Sequence, residues 1–131
     1  MKLYLAGPMR AYPEFNHPAF RKATALLRAD GHEVFSPAEH DEVGGFDFTG
    51  MAGTPEDLDA QGFDLRVALA DDLVWICGHA EGLVVLPGWQ TSLGATAEVA
   101  TARALSLPVW PLAEFVLYGD TGRCIAAGAA L

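Results

Sequence analysis

A glutamate among small residues is the first position where the sequence suggests chemistry. Glu98 lies in segment 93–105, whose spacing predicts a helix and whose only charged residues are Glu98 and Arg103. The residues three and four positions away are Gly94, Ala95, Thr101 and Ala102, and on a helix these positions share a face with Glu98. That face leaves space beside the carboxylate. An exposed glutamate that merely favours the helix dipole would have a similar pattern, so both roles stay open.

A glycine-containing loop precedes this predicted helix. Residues 88–94 read GWQTSLG, and backbone amides and a serine hydroxyl at a helix N-terminus can bind a phosphate. Capping of the helix by Ser92 is the commoner role of such a serine, and the two roles are compatible. The spacing fits neither a Walker loop nor a GxGxxG turn, so the loop predicts neither ATP nor a dinucleotide.

Three further positions are candidates with ordinary structural alternatives. Asp71 and Asp72 lie near the predicted end of an apolar helical segment, where acids oppose the helix dipole, although a solvated helix end is the default interpretation. Tyr4 falls in a strand predicted to be buried, where its hydroxyl needs a partner. Arg10 follows a Gly-Pro turn and is one of only eight basic residues; alone, it is a surface arginine.

Several kinds of site are absent from the sequence pattern. The four histidines lack metal-ligand spacing, and neither a GxSxG turn nor a Ser-His-Asp pattern is visible. We therefore predict no metal and no cofactor.

The elements that must position these residues alternate between strands and helices. Apolar runs at 3–6, 32–35, 83–86 and 107–110 predict strands. The intervening segments predict helices at 16–31, with Asn16 as N-cap, then from 54 to about 76, at 93–105 and at 113–118. This order predicts a doubly wound α/β fold, flavodoxin-like or Rossmann-like, with a mostly parallel sheet of four to five strands and helices on both faces.

Ligands of such sheets bind at the carboxyl ends of the strands, where the strand order reverses. The loops at 7–10 and 88–92 therefore bracket the expected site, and Gly7 and Trp89 join the substrate-binding candidates. Residues 36–53 contain four glycines and form too long a loop for a simple connector. This segment is either a lid that closes over a ligand with Phe46 and Phe48, or a disordered insert. The tail 119–131 is predicted to be poorly ordered.

Composition limits the function classes. The 131 residues fit a single domain, 1–131. The formal charge of −9 argues against a nucleic-acid polymer as partner, while one arginine suffices to hold one phosphate. No apolar run approaches the roughly 20 residues of a membrane span, and no signal peptide is visible. For the same reason we expect no membrane partner. Two cysteines outside a CxxC pair indicate reduced thiols and therefore a cytoplasmic protein.

Two motifs resemble those of the nucleoside 2-deoxyribosyltransferase superfamily. Residues 4–10 (YLAGPMR) are similar to its opening strand and loop, and residues 86–98 (LPGWQTSLGATAE) match the Leu-Pro-Gly-Trp-x-x-Ser-x-Gly-Ala-x-x-Glu block of its short bacterial and phage members. Asn16 and Phe20 match the Asn-x-x-x-Phe helix entry of those members. The resemblance covers about residues 2–110 and extends to deoxynucleoside 5′-monophosphate N-glycosidases.

The resemblance implies a set of roles. Glu98 falls on the nucleophilic carboxylate, Tyr4 on the tyrosine that orients it, and Asp72 on the acid that contacts the sugar and assists the leaving base. The residues that fall on 5′-phosphate contacts are Arg10, Ser92 and Gly94. The resemblance also implies a small-molecule nucleoside or nucleotide as ligand, and a homodimer or higher homo-oligomer. One departure is the sequence Ala-Glu-Gly at 80–82, where many members carry an aspartate.

Three functions remain to be compared. The first is an enzyme that cleaves an N-glycosidic bond with two carboxyl groups, as retaining glycosidases do, with water or a second base as acceptor. The second is a nucleotide-binding or sensing module on the same fold. The third, a flavodoxin-like carrier, is disfavoured because the loops lack a Ser/Thr-rich phosphate-binding run. Paired acids favour the enzyme, since binding alone does not need them.

Overall fold

A sheet of four parallel strands lies at the centre of the protein. The computed structural model describes residues 1–125, and its strands are β1 (Lys2–Ala6), β2 (Glu33–Phe35), β3 (Gly82–Val85) and β4 (Val109–Pro111). Their order is β2-β1-β3-β4, and every neighbouring pair is parallel. From β1 the chain goes first to β2 on one side and later to β3 on the other side, so the strand order reverses at β1. The predicted doubly wound α/β fold is confirmed.

Six α-helices lie within residues 1–125. They are α1 (His17–Ala29), α2 (Pro37–Val43), α3 (Pro55–Gln61), α4 (Leu65–His79), α5 (Leu93–Ala104) and α6 (Leu112–Tyr118). The prediction of a single helix from residue 54 to about 76 is wrong, because α3 and α4 are separate helices. Gly62 ends α3 with a left-handed φ of 67°, and the Asp64 side chain caps α4 by accepting from the amides of Arg66 and Val67.

Alternate residues of β1 supply two separate cores. Leu3 and Leu5 point to one side of the sheet, and Tyr4 and Ala6 to the other. We call the first side the apolar face; its buried residues are Leu3, Leu5, Phe20, Ala23, Leu27, Val34, Ala38, Val84, Leu86, Trp110 and Phe115. We call the second side the acidic face; its buried hydrophobic residues are Tyr4, Ala6, Ile76, Leu83, Val85, Ala95, Val99, Ala102 and Val109.

The segment predicted as a loop at 36–53 begins with a helix. Ser36 accepts a hydrogen bond from the Glu39 amide and starts α2 directly after β2. The remainder packs on the loop after β1, since the amide of Ala11 donates to the carbonyl of Gly53. Phe48 is buried in this segment, with its ring centroid 4.6 Å from that of Phe15. The segment therefore has a defined conformation, and its action as a lid stays a prediction.

Asn16 precedes α1, as predicted, but it does not cap the helix. Its backbone is left-handed at φ 62°, and its side chain makes no cap hydrogen bond, whereas N-cap residues typically have extended backbone. The side-chain amide instead donates to the carbonyl of Pro8 over 2.9 Å. Asn16 thus attaches the start of α1 to the loop after β1.

The end of the described chain runs beside β4. A 3₁₀ helix covers Gly119–Thr121, and the amide of Ile125 donates to the carbonyl of Val109. The rest of the tail predicted to be poorly ordered, residues 126–131, lies outside the described residues. Cys77 and Cys124 are both free and exposed. Within residues 1–125, no helix combines the length and apolar character needed to cross a membrane.

Candidate active site

A buried hydrogen bond joins the central strand to α5. The Tyr4 hydroxyl donates to Oε2 of Glu98 over 2.8 Å, and Glu98 is only 5% exposed. The Tyr4 ring is held by a stacked contact with Phe35, at 5.6 Å between centroids, and by Trp75 on α4. The ring is therefore fixed by packing, and its hydroxyl is directed at one carboxylate oxygen.

Asp72 lies next to this pair. It lies in the middle of α4, not at a helix end as the sequence pattern suggested, and it is 8% exposed. Its carboxyl group interacts with both Tyr4 and Glu98. The neighbouring Asp71 points elsewhere, since its Oδ2 lies 3.1 Å from Nε2 of His40 at the surface. The structure thus brings together the three residues predicted to be catalytic.

Burial and like charge set the protonation of this group. Burial raises the pKa of Glu98, and the charge of Asp72 raises it further, while the Tyr4 hydroxyl acts to lower it. Burial likewise raises the pKa of Asp72, against the effects of Tyr4 and His40. The pKa of Tyr4 lies well above its usual value because of burial and the two carboxyl charges, so Tyr4 keeps its proton. Two such close carboxyl groups share a proton near neutral pH.

The start of α5 is open on the side that a ligand would approach. Ser92 caps the helix by accepting a hydrogen bond from the Ala95 amide over 3.1 Å. A Cβ atom added to Gly94 would meet nothing within 4 Å. Ala95 and Ala102, by contrast, are buried in the core of the acidic face. The space predicted beside the Glu98 carboxylate and the phosphate contacts of Ser92 and Gly94 stay predictions.

Gly7 and Trp89 have packing roles in the structure. A Cβ atom on Gly7 would lie 2.8 Å from Cβ of Leu86, so the glycine permits close approach between the loop after β1 and the end of β3. Trp89 is half-buried, packs against the core of the acidic face and lines an apolar cavity between α1 and α6. Substrate contact by either residue stays a prediction.

Arg10 lines a small cavity that the sequence did not predict. This cavity of about 60 Å³ also contains Asp41 and the rings of Phe15, Phe48 and Phe63. Burial and the charge of Asp72 raise the pKa of Asp41 to about 7. Asp41 was missed because 36–53 was interpreted as a loop. Its spacing of three residues from Ala38, which is also buried in α2, was the available signal.

Among residues 1–125, no group of three or more histidine, cysteine, aspartate or glutamate side chains is arranged to hold a metal ion. The candidate chemical groups on the acidic face are Glu98, Asp72 and Tyr4.

Comparison with known proteins agrees with the architecture. The family model described as "Domain of unknown function (DUF4406)" matches residues 1–110, and no curated protein matches the chain. A 2-deoxyribosyltransferase from the psychrotolerant bacterium Bacillus psychrosaccharolyticus has a similar structure, with a TM-score of 0.57 and 25% identity over 85% of this chain and 71% of that chain. That enzyme is a biocatalyst for the synthesis of antiviral and antitumoral nucleosides. The resemblance to the nucleoside 2-deoxyribosyltransferase superfamily is confirmed, and the chain belongs to the DUF4406 family.

Proposed function

We propose that this protein cleaves the N-glycosidic bond of a nucleoside, a deoxynucleoside or one of their 5′-monophosphates, with Glu98 as nucleophile and water or a second base as acceptor. The observation that carries the proposal is the buried hydrogen bond from Tyr4 to Glu98, at 2.8 Å, beside a second buried acid, Asp72. Burying two carboxyl groups destabilises a fold. Two carboxyl groups, one ionised and one protonated, are the arrangement with which retaining glycosidases break a glycosidic bond.

In the first half of the reaction, Glu98 attacks C1′ of the sugar. The reactive form is the one in which the proton shared by the two acids is on Asp72 and Glu98 is ionised. The C1′–N bond breaks and its electron pair goes to the base nitrogen, which takes the proton from Asp72. The products are the free base and a sugar ester on Glu98. The Tyr4 hydroxyl stabilises Glu98 as the ionised nucleophile, because it donates a hydrogen bond to the carboxylate.

In the second half, an acceptor removes the sugar from Glu98. Water or a second base attacks C1′, the C1′–O bond of the ester breaks, and Glu98 regains its negative charge. Asp72 takes the proton that the acceptor loses, which restores the starting state. Water yields hydrolysis, and a base yields transfer.

Two regions support recognition of a 5′-phosphate. Ser92 and Gly94 start α5, where backbone amides and the helix dipole favour an anion. Arg10 is exposed in the loop after β1, where it supplies a positive charge beside the carboxyl ends of the strands. We assign these three residues to the phosphate, and Gly7 and Trp89 to the shape of the two loops.

A second copy of the chain fits the exposed surface of α4. Leu65, Val67 and Val74 of this helix are exposed in the single chain, and exposed apolar side chains that lie close together often mark an interface. Asp72 is buried on the inner side of the same helix, so a homodimer through Val67 and Val74 would pack on the outer side of the helix that carries the second acid. We place this one-domain protein in the cytoplasm, where its two cysteines stay reduced.

The dimer is tested by light scattering coupled to size-exclusion chromatography. Val74→Glu should give a monomer, because it buries a charge in the interface. Leu117→Glu on α6 is the matched control, since Leu117 is 72% exposed and Val74 is 70% exposed; it should remain a dimer. A wild-type monomer, or dimers in both variants, would contradict a dimer interface at Val74.

The proposed reaction is tested by liquid chromatography of the protein incubated with nucleosides and 5′-monophosphates, with and without a second free base. Base release by the wild type but not by Glu98→Ala would support cleavage, and a new nucleoside would identify transfer. Binding of nucleotides without release of any base would contradict the enzyme and favour a nucleotide-binding module.

A further inference from the structure

We propose that the apolar cavity between α1 and α6 is a second binding site, and that its ligand is a small amphipathic anion with an apolar body and one acidic group. The cavity has a volume of about 910 Å³, within the range of about 300–1,000 Å³ that is typical of small-molecule sites. Tyr4, Asp72 and Glu98 do not line it. The site is therefore separate from the acid pair and does not depend on the proposed reaction.

The walls of the cavity are mostly apolar. They come from α1, from the end of β3 and the loop that follows it, and from α6, with Ile125 at one edge. Leu26 of α1 and Val116 of α6 line the cavity, and they are 43% and 40% exposed in the single chain. Removal of such surface from water favours binding in proportion to the area covered. The body of the ligand is therefore expected to be apolar.

One cation determines the charge of the site. Among the residues that line the cavity, Lys22 is the only one with a charged side chain. Arg21 and Arg28 on the same helix each pair with a glutamate. Lys22 forms no salt bridge within residues 1–125, so its ammonium group is free to pair with an acidic group of a ligand. The lining also includes one side-chain amide, Gln90, which can donate to an acid.

The charge of the whole chain makes a preference for anions informative. The formal charge is −9, so the protein as a whole repels an anion and attracts a cation. A preference for an anion over a cation with the same apolar body would therefore have a local cause. Lys22 is the residue placed to provide it.

Two other occupants of the cavity would leave this cation without a partner. Residues 126–131 (AAGAAL) follow Ile125 directly but contain no acidic side chain. A second copy packed through the same face would bring its own Lys22 towards the first, because a two-fold contact uses the same patch on both subunits. A separate anionic molecule satisfies both the apolar walls and the charge.

The test is calorimetric binding of decanoate to the full chain, compared with octanoate and with decyltrimethylammonium, all below their micelle concentrations. Decanoate should bind at one site, more tightly than the cation. It should bind about tenfold more tightly than octanoate, because two more methylene groups are buried. Lys22→Ala should weaken decanoate about fivefold. Lys2→Ala is the matched control, since it removes the same charge outside the cavity, and it should bind like the wild type.

A second pair of variants locates the ligand. Ala19 lines the cavity and is exposed on α1, so Ala19→Phe should place a ring in the cavity without disturbing the core and weaken decanoate at least about tenfold. Ala29 is also exposed on α1 but does not line the cavity. Ala29→Phe should therefore bind like the wild type, and circular dichroism checks that both variants are folded.

The outcomes are separate from those of the proposed reaction. Absence of decanoate binding would overturn the site and leave the cavity to residues 126–131 or to a second copy. Tighter binding of the cation, equal effects of Lys22→Ala and Lys2→Ala, or unchanged binding in folded Ala19→Phe would also overturn it. Decanoate binding with the predicted variant effects, in a protein that releases no base, would contradict the reaction and leave this site in place.

Discussion

The two faces of the sheet use alternate residues of the same strands, but only one places carboxyl groups against the central strand. On the apolar face, Leu3 and Leu5 of β1 pack against aliphatic and aromatic side chains. On the acidic face, Tyr4 lies between them in sequence and donates to buried Glu98, with Asp72 alongside. The apolar face has the composition of an ordinary core. The acidic face carries the cost of buried carboxyl groups, which the proposed reaction would explain.

The largest predicted contrast is between one substitution on each face. Glu98→Gln should lower kcat by at least about a thousandfold, because it removes the nucleophile, while the protein stays folded. Leu5→Ala should cost about 2–5 kcal/mol of unfolding free energy and leave kcat per folded molecule nearly unchanged. Denaturant unfolding and initial rates measure both. If Glu98→Gln kept activity, or Leu5→Ala lost kcat without loss of structure, the assignment of chemistry to the acidic face and of packing to the apolar face would be contradicted.

Tyr4→Phe tests how Tyr4 differs from its neighbours in β1, Leu3 and Leu5. The ring packing is kept and only the hydroxyl is lost, so kcat should fall about 10- to 100-fold with little change in KM. Because the hydroxyl acts to lower the pKa of Glu98, its removal should shift the acidic limb of the pH–rate profile to higher pH. An unmoved profile would mean that Tyr4 serves packing alone, as Leu3 and Leu5 do.

Arg10→Ala tests a residue in the loop after β1. It should weaken 5′-monophosphates by about tenfold or more, since a charge-assisted contact is lost, and affect nucleosides far less. Comparing kcat/KM for matched nucleoside and nucleotide substrates measures this. An equal loss for both substrates would refute the phosphate role and leave Arg10 in the small cavity beside Asp41.

The last prediction concerns stability as a function of pH and leaves activity aside. The pKa of Asp41 is raised from 3.8 to about 7 in the folded protein, so the folded state binds more protons than the unfolded state between these values. The contribution of Asp41 to stability is therefore greatest below pH 4 and is lost as pH rises through 7. Asp41→Asn should be progressively more stable than the wild type from pH 5 to pH 8 in thermal unfolding. A constant difference would contradict the burial of this carboxyl group.

The strand pattern was largely predictable because buried parallel strands are continuous apolar runs with glycine or proline at their ends. The fold class follows from their alternation with helices. The pairing of Tyr4 with Glu98 was predicted only through the family resemblance, because no local pattern connects residues 94 positions apart.

The errors have physical causes. The break between α3 and α4 was missed because the apolar spacing was followed across Gly62. A left-handed glycine that ends one helix and an aspartate that caps the next are local signals, and the sequence carried both. Asn16 has the residue type of a cap, but its side chain finds a different acceptor in Pro8. Asp41 was overlooked because a helix as short as α2 carries too few residues for a clear period.

The most direct test of the central claim is mass spectrometry of the protein trapped with a 2′-fluoro nucleoside 5′-monophosphate, a substrate type whose fluorine slows removal of the sugar from a carboxylate. The account predicts a mass increase equal to the sugar phosphate, located by peptide mapping on Glu98 and absent from Glu98→Gln. Release of base with the sugar attached to another residue, or with no attachment to Glu98, would contradict the assignment of Glu98 as nucleophile.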